Sequence, residues 1–163
     1  MDLNGLGLPP EVTSRVELSA FEDIMLRILR RDFPSIPCFS LIPPDVTYPF
    51  IWVSRRAPLE VWGGHPRFTD RGRVIVSVFA EEPDGIEKAQ YISEAIRVSL
   101  RDAWLKHEFF PGLVSIVNLE LKSEPTRSPD WATSAGPVQF ADLPNNIHRF
   151  EAMYTMTVRR PRY

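Results

Sequence analysis

Residues 74–80 read Val-Ile-Val-Ser-Val-Phe-Ala, apolar at nearly every position. Successive side chains of an extended chain point to opposite faces. Val74, Val76 and Val78 therefore share one face, and Ile75 and Phe79 share the other. A strand apolar on both faces has to be covered on both, so it belongs inside a sheet. The run from Arg73 to Ala80 thus predicts a central strand, and the rest of the chain must supply its neighbours.

A turn and a helix come directly after that strand. Glu81-Glu82-Pro83-Asp84-Gly85 breaks the extended run, and Asp84 with Glu87 has the spacing of a capping box. The predicted helix runs to about Lys106. One stripe holds Ala89, Ile92, Ile96, Leu100, Ala103 and Trp104 at helical spacing. A second stripe holds Tyr91, Ala95, Val98 and Leu105. Two stripes signify either a wide core face or a subunit contact, with Tyr91, Val98 and Leu105 as the candidate contact residues.

The flanking segments supply the other elements. Residues 1–18 mix glycine and proline with six large apolar residues, which reads as an N-terminal arm docked on its own domain or on a neighbouring subunit. Ser19 and Glu22 form a second capping-box pattern. The helix they open presents Phe21, Ile24, Met25, Ile28 and Leu29 on one face and stops at Pro34. Residues 34–46 read as irregular. Strands are expected over Tyr48–Arg55, Leu59–Trp62, Leu113–Lys122 and His148–Arg159, and residues 65–73 as an exposed connection. In the strand from Leu113, Val117, Leu119 and Leu121 are expected on one face. The last strand alternates, with Phe150, Ala152, Tyr154, Met156 and Val158 facing in and Arg149, Glu151, Thr155 and Thr157 facing out.

Between the last two strands lies a 25-residue insertion, residues 123–147, with four prolines. A connection of that length is more than a hairpin needs. Its Trp131 and Phe140 are candidate partner contacts. The fold class is therefore α+β: a mostly antiparallel sheet of four to five strands with two helices on one face, in the order α-β-β-β-α-β-β, formed by residues 19–163 as one domain.

Bulk properties exclude several functions. The net charge of −2 does not mark the whole surface as a nucleic-acid binder. A single cysteine, Cys38, rules out an internal disulfide and a cysteine-based metal site within one chain. No apolar run reaches the ~18 residues of a membrane span, so no membrane partner is expected.

Motifs for chemistry are missing as well. There is no phosphate loop, no dinucleotide fingerprint, no nucleophile elbow and no histidine pair at metal-ligand spacing. His65, His107 and His148 fall in different elements and read as surface or helix-end residues. Asp70, Glu81, Glu82 and Asp84 surround the ends of the central strand but fit cap and turn duties. No catalytic residue, cofactor or metal is expected. Arg55, Arg56, Arg67 and Arg71, interleaved with Trp52, Trp62 and Phe68, read either as a solvated rim or as basics facing passing DNA.

Four stretches carry a family resemblance: FEDIMLRILRRDFP, YPFIWVSRR, the unit RVIVSVFAEEPDGIEKAQYISEAIRVSL and the closing strand HRFEAMYTMTVRR. With Val76-Ser77-Val78-Phe79-Ala80, the acidic turn Glu81 to Asp84 and Ala89 in the helix, the chain resembles the tail terminator (tail-completion) proteins of long-tailed bacteriophages. The resemblance spans residues 19–122 and 148–160. It implies a structural virion protein rather than an enzyme. Its copies would form a ring, expected to be a hexamer, assembled in the host cytoplasm. That ring would cap the tail tube protein and join a head-completion or neck protein while DNA passes through the lumen. A head-closure or adaptor protein, and a small nucleic-acid-binding or metal-dependent DNA-processing domain, are the alternative readings.

Overall fold

The computed structural model describes residues 21–56, 69–110, 115–128 and 146–159. Their order is α1 (Phe21–Asp32), β1 (Cys38–Phe39), β2 (Phe50–Arg56), β3 (Thr69–Glu81), α2 (Gly85–Leu105), β4 (Ser115–Arg127) and β5 (Ile147–Arg159). The five strands form one sheet in the order β1-β2-β3-β5-β4. Only the β1–β2 pair is parallel. This is the expected α+β class.

β3 is the centre of the sheet. It pairs with β2 from Phe79↔Phe50 to Arg73↔Arg56, and with β5 along its whole length, from Thr69↔Arg159 to Glu81↔Ile147. It is also longer than the apolar run implies. Thr69 to Arg73, expected in an exposed connection, continue the strand because β5 offers hydrogen-bond partners that far. The helices cover the face carrying Val74, Val76, Val78 and Ala80. Ile51 and Val53 from β2 and Phe150, Ala152, Tyr154, Met156 and Val158 from β5 lie on the same face.

α1 docks through Phe21, Ile24, Met25, Ile28 and Leu29, as its periodicity indicates, and also through Leu26. Phe21 lies directly over Gly72 in β3: a Cβ built on Gly72 meets the Phe21 ring at 2.6 Å. The absence of a side chain at 72 sets how closely helix and sheet approach. Glu22 does a different task from the capping box. Its Oε1 accepts a hydrogen bond from the Arg55 backbone N–H at 2.9 Å, on the side of β2 that β1 leaves open. The Arg30 guanidinium donates to the Cys38 carbonyl at 2.9 Å and so ties α1 to β1. β1, inside a stretch expected to be irregular, is only two residues long. Its neighbour Pro37 accepts the Ile51 N–H at 2.8 Å. The Cys38 thiol is buried, and burial pushes it up to about 11.

α2 begins after a turn residue, Asp84, that departs from expectation. Asp84 adopts a left-handed backbone, φ 65°, and its side chain makes no capping bond, so the Asp84–Glu87 capping box does not form. Gly85 is required by space instead. A Cβ there would sit 2.9 Å from His148 Cδ2 and 3.1 Å from the Ala80 carbonyl oxygen.

β4 forms one edge of the sheet and pairs only with β5. Register irregularities fall at Ile116/Asn118, Leu121/Ser123 and Ser123/Thr126. The first of them turns Ile116 into the core and Val117 out to solvent, the reverse of the facing expected from simple alternation. β4 runs on to Arg127 and β5 starts at Ile147, so the connection between them is shorter than the expected insertion over residues 123–147. Residues 1–20, the expected strand Leu59–Trp62, and Trp131 and Phe140 of the insertion lie outside the described residues.

On the sheet face away from the helices, β5 alternates as expected, but its outward residues are not all solvated. Arg149 is 8% exposed and Thr155 5%. The Arg149 guanidinium lies 5.7 Å from the Phe79 ring centroid and 5.9 Å from that of Trp52, and it pairs with Glu151. Flat aromatic faces accept a guanidinium there, and Phe50 stacks on Phe79 at 4.7 Å.

Gly72→Ala is expected to cost about 1–3 kcal/mol by forcing the Phe21 ring off the sheet. Urea unfolding followed by circular dichroism checks it, and an unchanged midpoint would show that the ring has room to move.

Candidate functional site

A helix packed on a sheet normally hides its apolar stripe and shows water a polar back. α2 does the first and not the second. Ala89, Ile92, Ser93, Ile96, Leu100 and Ala103 are buried. Tyr91, Val98 and Leu105 are 78%, 46% and 59% exposed. With 3.6 residues per turn they lie roughly 140–180° around the axis from Ile96. Tyr91, Val98 and Leu105 of the second stripe thus form a ridge on the outer face of the helix and no part of the core, while Ala95 is half-buried beside it. Its members are seven residues apart, about 10.5 Å along the axis.

The ridge changes charge along its length. Glu87 and Glu94 stand within one turn of Tyr91, and Arg97 and Arg101 within one turn of Val98. Glu94 and Arg97 pair at 3.0 Å, and Arg101 lies 4.0 Å from Asp102.

Beside the ridge, α2 and β4 enclose a groove of about 310 Å³. Arg97, Val98, Arg101 and Trp104 form its helical wall, Leu119 and Leu121 its strand wall, and Tyr154 of β5 contributes from beneath. Trp104 Nε1 donates to the Val117 carbonyl at 3.2 Å, which fixes the end of α2 against β4. The Tyr154 hydroxyl is buried and has no hydrogen-bond partner. Burial holds its proton far above the ordinary phenol range; Arg97 opposes this and Glu94 adds to it. An orphaned buried hydroxyl costs roughly 1–3 kcal/mol, so this one needs an explanation. No sequence signal pointed to the groove, because its walls come from three elements whose register only the fold defines.

The basic candidates are not assembled into one patch. Arg55 lies over the Phe21 ring at 5.2 Å, on the helix side of the sheet. Arg71 extends from the opposite face and pairs with Glu120 at 3.5 Å. Arg56 ends β2 opposite Arg73, and Arg67 lies outside the described residues.

The acidic candidates are in local use. Asn146 Nδ2 donates to Glu81 Oε1 at 2.8 Å, Glu82 pairs with His148, and Asp84 lies 3.9 Å from Lys88. His148 is therefore no free surface residue. Its ring is held between Glu82 and Arg127, whose Nη2 lies 3.1 Å from His148 Nδ1. Among the described residues no group of three or more histidine, cysteine or acidic side chains is placed to hold a metal. Among them, too, no helix is long and apolar enough to cross a membrane.

No protein-family model matches the sequence, and no curated protein matches it. One solved structure overlaps 87% of this chain and 97% of its own, with 11% identity and a TM-score of 0.42. A likeness of that size carries no argument about function.

Tyr154→Phe is expected to stabilise the isolated chain by about 1 kcal/mol, since it removes a desolvated donor and keeps the ring. Equilibrium denaturation measures this, and a loss of stability would mean that the hydroxyl has a bonded partner.

Proposed function

We propose that this chain is the subunit of a phage tail terminator ring. Its copies close into a ring that caps the tail tube and joins the tail to the head-completion complex, and DNA passes through the lumen. The class comes from the sequence resemblance. The observation that carries the reading is the exposed ridge of Tyr91, Val98 and Leu105. An apolar series of regular spacing on the outside of a well-packed helix is surface suited to another protein. A ring needs two different, complementary surfaces on each subunit, and the ridge serves as one of them. The work is structural, so the reading asks for no catalytic group and no cofactor. The arginines contribute little to it, because Arg55 and Arg71 are engaged on opposite faces of the sheet.

Electron microscopy of the purified chain, alone and mixed with tail tube protein, tests this reading. Rings, or caps at tube ends, are expected. The double variant Tyr91→Asp/Val98→Asp is expected to lose them while its unfolding free energy stays within about 0.5 kcal/mol, as for other surface changes. Unfolding of that variant would place the ridge in the core after all. A wild-type chain that stays single in both preparations would end the reading.

A further inference from the structure

We propose that the groove between α2 and β4 is the socket for the Tyr91 end of the same helix on a second copy of this chain. The contact is head to tail, and it rests on the ring reading above. Two observations support it. First, the two halves of the exposed face of α2 are complementary in charge. The Tyr91 end carries Glu87 and Glu94, with Lys88 beside them drawn toward Asp84, while the groove carries Arg97 and Arg101; the exposed Glu94–Arg97 pair within one chain is exchanged for pairs between copies, and none of the described residues lining the groove is acidic. Second, the shapes are complementary. Tyr91 is a large side chain standing 78% exposed with no cover. The groove is a slot of about 310 Å³ walled by Trp104, Leu119 and Leu121.

Knob and socket cannot meet within one chain. Tyr91 and Arg101 are ten residues apart on a rigid helix, about 15 Å along its axis. Each copy therefore offers one knob and one socket. Using both produces a chain of copies that ends only when it closes on itself, as a heterologous contact does. Opposite charges at such a contact fix its register and exclude wrong pairings.

Reversing each charge separately gives the test. Glu94→Arg puts arginine on the knob of one variant, and Arg101→Glu puts glutamate in the socket of the other. Both residues lie on the exposed face of α2, so each variant is expected to fold, which circular dichroism checks. Alone, each variant sets like charges against each other and is expected to associate at least tenfold more weakly than wild type. Mixed in equal amounts, the two restore every contact in an alternating assembly. Sedimentation at millimolar concentration is expected to return the wild-type species. Wild-type rings unaffected by either reversal, or reversals that the mixture does not rescue, would overturn the socket and leave the ring reading standing. A rescued species that stops at two copies would support the socket and overturn the ring. A wild-type chain that stays single at millimolar concentration, both alone and mixed with tail tube protein, would overturn both.

Discussion

The structure depends on one strand being satisfied on all sides. β3 is hydrogen-bonded to β2 on one edge and to β5 on the other, and it is buried on both faces over Val74 to Ala80. Both helices lie on the sheet that it centres, α1 over β1, β2 and β3 and α2 over β3, β4 and β5. α1 reaches the sheet by lying over Gly72, and α2 starts within four residues of the end of β3. Loss of β3 would leave β2 and β5 with no partner in common. Backbone pairing along thirteen residues and apolar burial above and below it are therefore a single constraint.

The two faces of β3 meet that constraint with different chemistry. The helix face is aliphatic, closed by valines and by the apolar set of β5. The other face admits a charge. Arg149 spreads over Trp52 and Phe79, and Glu151 two residues along neutralises it. A buried ion pair of this kind adds little net stability, but removal of either member strands the other. The pair therefore specifies register more than strength: a one-residue slip of β5 would carry Arg149 into the aliphatic layer.

How much of the fold was legible depends on where each signal resides. Signals contained within one element were readable. Residues 74–80 announced an interior strand, and Ala89, Ile92, Ile96 and Leu100 announced the buried stripe of α2. Phe150 to Val158 announced the inward face of β5. Signals that depend on a distant partner were not readable. Thr69 to Arg73 are polar enough to look like a loop and become strand only because β5 extends beside them. Val117 and Ile116 exchange faces because β4 slips against β5. Asp84 and Glu87 have capping-box spacing, but Asp84 adopts a left-handed backbone and its side chain makes no capping bond, which sequence spacing alone does not reveal. In the candidate site, Tyr91, Val98 and Leu105 were visible as a stripe, while the groove beside them, made by α2, β4 and β5 together, was not.

The irregular register of β4 has a bearing on storage and handling of the protein. A straight edge strand of thirteen residues would be a template on which another chain's strand adds, the first step of fibre growth. Three breaks in register, together with the charges of Glu120, Lys122 and Glu124 along the same strand, deny an incoming strand any long stretch of matched donors and acceptors. The edge of the sheet at β4 is therefore a poor template for strand addition when the protein is concentrated.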